Sequence, residues 1–201
     1  MECIVVVNDA YAATYTFLDV ARPDSERFVG HLGPIHGFNR VLLVSGDREA
    51  EVNRLARSVS IDRVHAEQSP EQKVEIVRRE SEVAKTVFIG DGINDAPALL
   101  TATVGIAFGR NSDVTSEAAR VVIIDSSLEK VDTLMHVSYR LRQVALQSAV
   151  GGMALSTVGM IFAAFGVLAP VAGAVVQEVI DLVAVLNALR TAAPIASDFS
   201  K

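Results

Sequence analysis

Hydrophobic residues enter this chain first as short runs and last as long ones. Ile4 to Val7 is a β-branched run broken by Asn8-Asp9, and Ala13 to Phe17 alternates after it, which predicts two strands around a turn. At Arg22-Pro23 the proline stops a strand or opens a helix. Arg40 to Val44 is a continuous apolar run, the pattern of a parallel strand buried on both faces, and it ends at Ser45-Gly46-Asp47. Arg48 to Ser58 then carries Val52, Leu55 and Ala56 at helical spacing. The alternation repeats: a brief strand at Val64-His65, a helix opened by Ser69-Pro70 and carrying Lys73, and a buried strand from Thr86 to Ile89 ending at Gly90-Asp91. Val104 to Ala107 and Val121 to Ile124 supply two more strands, with a helix near Asp113 to Ala119 between them.

Strands alternating with helices predict an α/β fold with an open, mostly parallel sheet, whose ligands collect beyond the carboxyl ends of the strands. Further on the pattern changes. Val144 to Leu168 is 25 residues without a charge and Val171 to Leu189 is a second apolar span of 19 residues, each long enough to cross a hydrocarbon core of about 30 Å. Gly166 and Pro170 mark a tight loop between them, so the pair predicts a transmembrane helical hairpin. Arg140 and Arg142 before the first span and Arg190 after the second place both ends in the cytosol.

Composition agrees with that division. Half of the residues are hydrophobic and the mean hydropathy is +0.35, yet between Gln143 and Leu189 the charged residues are Glu178 and Asp181 alone. A soluble part is therefore joined to a part that contacts the lipid bilayer. A net charge of −6, with no run of Lys or Arg, argues against nucleic acid as a partner. The single cysteine, Cys3, excludes an intrachain disulfide and a thiolate zinc cluster. Met1 to Ala10 lacks the basic and long apolar segments of a signal peptide, so the soluble part is expected to be cytoplasmic.

The polar residues behind the strands carry the candidate chemistry. Phosphoryl transfer needs a hydroxyl and backbone amides for phosphate oxygens, a lysine to offset their charge, and carboxylates for Mg²⁺. Ser45-Gly46-Asp47, Lys73 and Gly90-Asp91-Gly92-Ile93-Asn94-Asp95 supply these in order, although a turn, a solvated lysine and helix capping by Asn94 and Asp95 compete as readings. In the second span Gln177, Glu178 and Asp181 lie within one turn, where acids at membrane depth default to an ion pathway and an interhelical hydrogen-bond cluster is the competing reading. Their hard oxygens suit a divalent cation better than monovalent copper, which prefers sulfur. Gly151, Gly152, Ala154 and Ser156 in the first span read as small residues for close helix contact, and Met153 and Met160 as packing.

"VFIGDGINDAPAL", Val87 to Leu99, resembles the hinge signature of P-type cation pumps, and "SGD", "SPEQK" and "GDGINDAPAL" stand in the order of haloacid-dehalogenase-type phosphotransferases. Asp19 to Pro23 resembles a junction element of the pumps, and "AFGRNSDVTSEAARVVIIDSSL" and "LNALR" are similar to their heavy-metal branch. The resemblance runs from about Ile4 to Arg190. It implies a partial haloacid-dehalogenase-like domain over 19–138 after a strand hairpin at 1–18, two membrane helices within 139–190, and a cytoplasmic tail over 191–201. It further implies ATP as phosphoryl donor and a heavy-metal cation as cargo. Ser45, Gly46, Asp47 and Lys73 would contact the phosphoryl group, Asp91 and Asp95 would hold Mg²⁺, and Gly90, Gly92 and Asn94 would shape the loop. Gln177, Glu178 and Asp181 would meet the transported cation.

One departure is large. The pumps' nucleophile lies in an Asp-Lys-Thr-Gly-Thr segment, which occurs nowhere in these residues. The expectation is a C-terminal piece of a pump, inactive alone, its N-terminal part missing. Two alternatives stay open: a membrane-anchored phosphatase using Asp9, which follows the first apolar run, and a non-catalytic pump subunit or regulator.

Overall fold

The computed structural model describes residues 2–16, 20–90, 93–109, 117–125 and 127–192. The chain forms two compact units, Met1–Lys130 and Val131–Lys201.

The first unit opens with an antiparallel hairpin of β1 (Glu2–Val7) and β2 (Ala10–Thr16). Asn8 and Asp9 turn the chain with φ of 49° and 59°, the doubly left-handed turn that matches strand twist and that short polar side chains tolerate. After Pro23, α1 (Ser25–Leu32) buries Phe28 and Leu32, four residues apart on one face. β3 (Leu42–Val44) pairs in parallel with β4 (Arg63–His65), Val44 opposite His65, and α2 (Glu49–Ser58) joins them with Val52 and Ala56 buried.

α3 (Pro70–Val83) begins where its sequence says it should. The Ser69 hydroxyl accepts from the Gln72 amide at 3.3 Å, the Gln72 side chain accepts from the Ser69 amide at 2.7 Å, and proline occupies the first helical position. Three parallel strands follow in spatial order β5 (Val87–Gly90), β6 (Val104–Phe108), β7 (Val121–Ile123). Between β5 and β6 the chain makes a 3₁₀ turn (Ile93–Asp95) and α4 (Ala96–Thr101). α4 lies so close to β6 that a Cβ on Gly105 would stand 2.4 Å from the Leu99 carbonyl oxygen; glycine is what admits the contact. Leu99 packs there with Ala96, Ala107, Ala118 and Phe88.

The second unit is built on α5 (Leu128–Ala164) and α6 (Pro170–Leu189). Gly166, at φ +72°, ends α5: its amide donates to Ala163 at 3.0 Å and the Val167 amide donates to Phe162 at 3.1 Å, the paired bonds of a left-handed helix stop. Both helices are long and apolar enough to cross a membrane, and α6 alone spans roughly 30 Å. Their apolar side chains face outward, Met160 at 64% and Val171 at 78% exposure. Polar groups face the partner helix: Asn187 donates to the Ser148 hydroxyl at 2.9 Å, Ser156 donates to Gln177 at 3.0 Å, and the Arg140 guanidinium donates to the Arg190 carbonyl.

Several elements differ in extent from the sequence reading. α1 follows the proline that was expected to stop a strand or open a helix, α4 follows the residues weighed as helix caps, and the helix carrying the first span begins at Leu128, well before its uncharged stretch. β5 runs through Gly90, so that glycine closes a strand rather than opening a loop. Of the helix expected near Asp113 to Ala119, Glu117 and Ala118 are helical and residues 113–116 lie outside the described residues, as do Phe17 and Asp19.

Candidate phosphoryl and cation sites

Ser45 leaves β3 with its amide donating to the His65 carbonyl at 2.9 Å. Its hydroxyl donates to Asp47 Oδ2 at 2.7 Å and accepts from the Asp47 amide at 3.2 Å, so residues 45–47 close into a small polar turn. That turn is fastened to the connection after β4: the Gln68 amide donates to the Ser45 carbonyl at 2.9 Å and the Glu67 amide to the Asp47 carbonyl at 3.0 Å. A Cβ on Gly46 would meet the Gln68 carbonyl at 3.3 Å, which explains the glycine by packing.

Lys73 stands in the first turn of α3, where its amide donates to the Ser69 carbonyl at 3.0 Å. Its ammonium donates to Asp95 Oδ1 at 2.8 Å, and the two side chains are only 15% and 13% exposed. Asp95 closes the 3₁₀ turn and precedes α4, yet makes no side-chain capping bond to that helix. The capping reading of Asp95 therefore gives way to an ion pair. Gly90 makes room for it: a Cβ there would lie 2.9 Å from both Cβ and Oδ2 of Asp95. Asn94 sits exposed in the same turn. Asp91 and Gly92 lie outside the described residues.

Lys73, Gly90 and Asp95 thus converge at the carboxyl end of β5, and Ser45, Gly46 and Asp47 at that of β3. The two groups are joined through the backbone of residues 65–69. The Asp95 carboxylate, held in the turn behind β5, is a hard oxygen donor of the kind Mg²⁺ selects and so fits a place in that ion's donor set. At the start of α3, the Ser69 hydroxyl donates to Glu71 at 2.7 Å and holds that carboxyl below its ordinary 4.5. Asp9 stands exposed at the tip of the β1–β2 turn, in a two-stranded sheet apart from the parallel strands.

In the second unit Gln177 is the hub. It accepts from Ser156 on α5 and donates to Asp181 Oδ1 at 3.2 Å, so one carboxylate is aimed by a chain that starts on the neighbouring helix. Glu178 is exposed. Sequence reasoning grouped Ser156 with the small packing residues; a hydroxyl among apolar neighbours, needing a partner at that depth, was the available signal.

A family model described as haloacid dehalogenase-like hydrolase matches residues 2–103. The probable cation-transporting ATPase G of Mycobacterium tuberculosis is 34% identical over 173 residues, covering 86% of this chain and 22% of that protein. The copper-exporting P-type ATPase of Bacillus subtilis is 31% identical over 188 residues, covering 93% of this chain and 23% of its own length. A crystal structure of a zinc-transporting PIB-type ATPase in the E2.Pi state superposes with a TM-score of 0.80 at 24% identity, over 96% of this chain and 31% of that one. The chain spans between a fifth and a quarter of the curated relatives just named.

Proposed function

The chain belongs to the haloacid dehalogenase-like hydrolases, and on that premise we propose that it is part of a heavy-metal P-type ATPase and supplies the Mg²⁺-binding hinge and a membrane helix pair of that ATP-driven cation pump. The observation that carries this is the Lys73–Asp95 ion pair behind β5, with Gly90 clearing space for it. A lysine and a carboxylate drawn together at a strand's carboxyl end can exchange partners with a phosphoryl group and its counterion.

In this reading the Ser45 hydroxyl and the amides of Gly46 and Asp47 hold phosphoryl oxygens, and Lys73 offsets their charge. Asp91 and Asp95 would hold Mg²⁺, with Asn94 beside them, and the ion when bound supplies neutralisation of phosphoryl charge. Gly90 and Gly92 would serve the cofactor-binding loop. The haloacid-dehalogenase-like part extends over 19–138 and the membrane part over 139–190, with both ends cytoplasmic, supported by Arg140, Arg142 and Arg190. The cargo cation passes Gln177, Glu178 and Asp181. Relatives are named for copper and for zinc, and the oxygen donors here favour a divalent ion.

Alone, the chain forms no phosphoenzyme, because Asp-Lys-Thr-Gly-Thr is absent from it. The test is labelling from ATP in membranes, comparing the given chain with one extended at its amino end by the Asp-Lys-Thr-Gly-Thr-bearing part of a relative, each with and without Asp91→Ala. Labelling of the extended chain alone, lost with Asp91→Ala, supports the reading. Labelling of the given chain would overturn it and point to Asp9.

A further inference from the structure

The connection from β4 to α3 contains a strained residue whose side chain faces solvent. Glu67 has a φ of +57° and is exposed, and a left-handed backbone costs an ordinary residue roughly tenfold in population. What the conformation serves is the backbone. It lets the Glu67 amide reach the Asp47 carbonyl at 3.0 Å and the next amide, of Gln68, reach the Ser45 carbonyl at 2.9 Å. One residue later Ser69 caps α3, and one turn further its carbonyl accepts from the Lys73 amide. The stretch 65–69, from the last residue of β4 to the cap of α3, therefore grips the Ser45–Asp47 turn on one side and the Lys73 turn on the other.

We infer that Glu67 is a positioning residue: its left-handed backbone sets the Ser45-Gly46-Asp47 turn against the helix turn bearing Lys73, so that one phosphoryl group meets both. This rests on the phosphoryl reading above. Because the backbone acts, glycine at this position is tolerated and the carboxylate is dispensable, whereas a β-branched side chain is not.

The experiment uses the whole chain in lipid nanodiscs with Mg²⁺, titrated with inorganic phosphate and followed by phosphorus NMR well below the unfolding temperature. Glu67→Gln binds as the wild type does and Glu67→Gly at least as tightly, since glycine escapes the cost the glutamate already bears; Glu67→Val binds several-fold more weakly, because a β-branched side chain adds to that cost. In the wild type, phosphate slows amide exchange at Glu67 and Gln68 as well as at Gly46 and Asp47, a measurement that stands even if Glu67→Val does not fold. Unchanged binding by Glu67→Val, lost binding by Glu67→Gln, or protection that stops at Asp47 overturns the inference while leaving the site intact. Ser45→Ala and Lys73→Met serve as controls. If the wild type binds no phosphate, or both controls bind it unchanged, the phosphoryl reading falls and the role of Glu67 falls with it.

Discussion

Gly90→Ala tests whether the ion pair behind β5 depends on an absent side chain. The new methyl carbon would lie 2.9 Å from Asp95 Cβ, 2.9 Å from its Oδ2 and 3.1 Å from its Cγ, against about 3.5 Å or more for a relaxed carbon contact. Rotating the carboxylate relieves only part of this, because Cβ moves with the backbone. That backbone leads directly into α4, whose Ala98 and Leu99 are 1% exposed and cannot retreat. The strain should cost about 1–3 kcal/mol. Hydrogen exchange of the β5 and β6 amides, read by mass spectrometry on the whole chain, should quicken about 5- to 150-fold where it proceeds by local opening. Asp95→Gly removes all three clashing atoms, so in that background Gly90→Ala should cost less than about 0.5 kcal/mol. Equal cost in the two backgrounds would refute the argument.

Two further predictions concern α3 and α6. Ser69→Ala should destabilise the start of α3 by about 1 kcal/mol at neutral pH. The Ser69 bond lowers the Glu71 carboxyl in the folded chain, so that part of the contribution is present above the ordinary 4.5 and is lost as pH falls through the lowered value. The deficit should shrink in acid, as thermal unfolding against pH would show; a deficit that grows in acid contradicts it. Gln177→Leu should leave the α5–α6 hairpin folded at a cost of roughly 1 kcal/mol, since interhelical bonds in membranes are individually weak. It should nonetheless weaken Co²⁺ binding, followed by absorption on the nanodisc-held chain, and unchanged binding would remove Gln177 from the cation site.

Much of this architecture was readable from residue order. The parallel strands stand out because strands buried on both faces must be apolar throughout, as at Val104 to Ala107. Ser69-Pro70 marks a helix start through groups that act locally, and the structure keeps both capping bonds. Starts for α1 and α4 were legible in Arg22-Pro23 and in the capping residues Asn94 and Asp95, but their extents were not: six residues cannot display a helical period, and Phe28 and Leu32 give one apolar spacing in a polar stretch. The Lys73–Asp95 pair was beyond reach for another reason. Each residue was marked as chemical, but their contact spans 22 positions and exists only once α3 and the turn after β5 pack together. The strain at Glu67 left no trace in composition, since glutamate gives no hint of a left-handed backbone.

The pairing of Lys73 with Asp95 also bears on how the first unit would meet anions. A lone ammonium projects its field into solvent and attracts whatever is abundant, chloride included. An ammonium held 2.8 Å from a carboxylate projects a dipole, whose reach is far shorter. An anion settling there would have to supplant a resident charge, so the locus would behave as an ion exchanger rather than as a receptor awaiting its ligand. Exchangers rank their guests by charge density. Singly charged, diffuse ions gain too little to dislodge the carboxylate, while a doubly charged group arriving with its own metal counterion can take the lysine and hand the displaced carboxylate a new partner in one step.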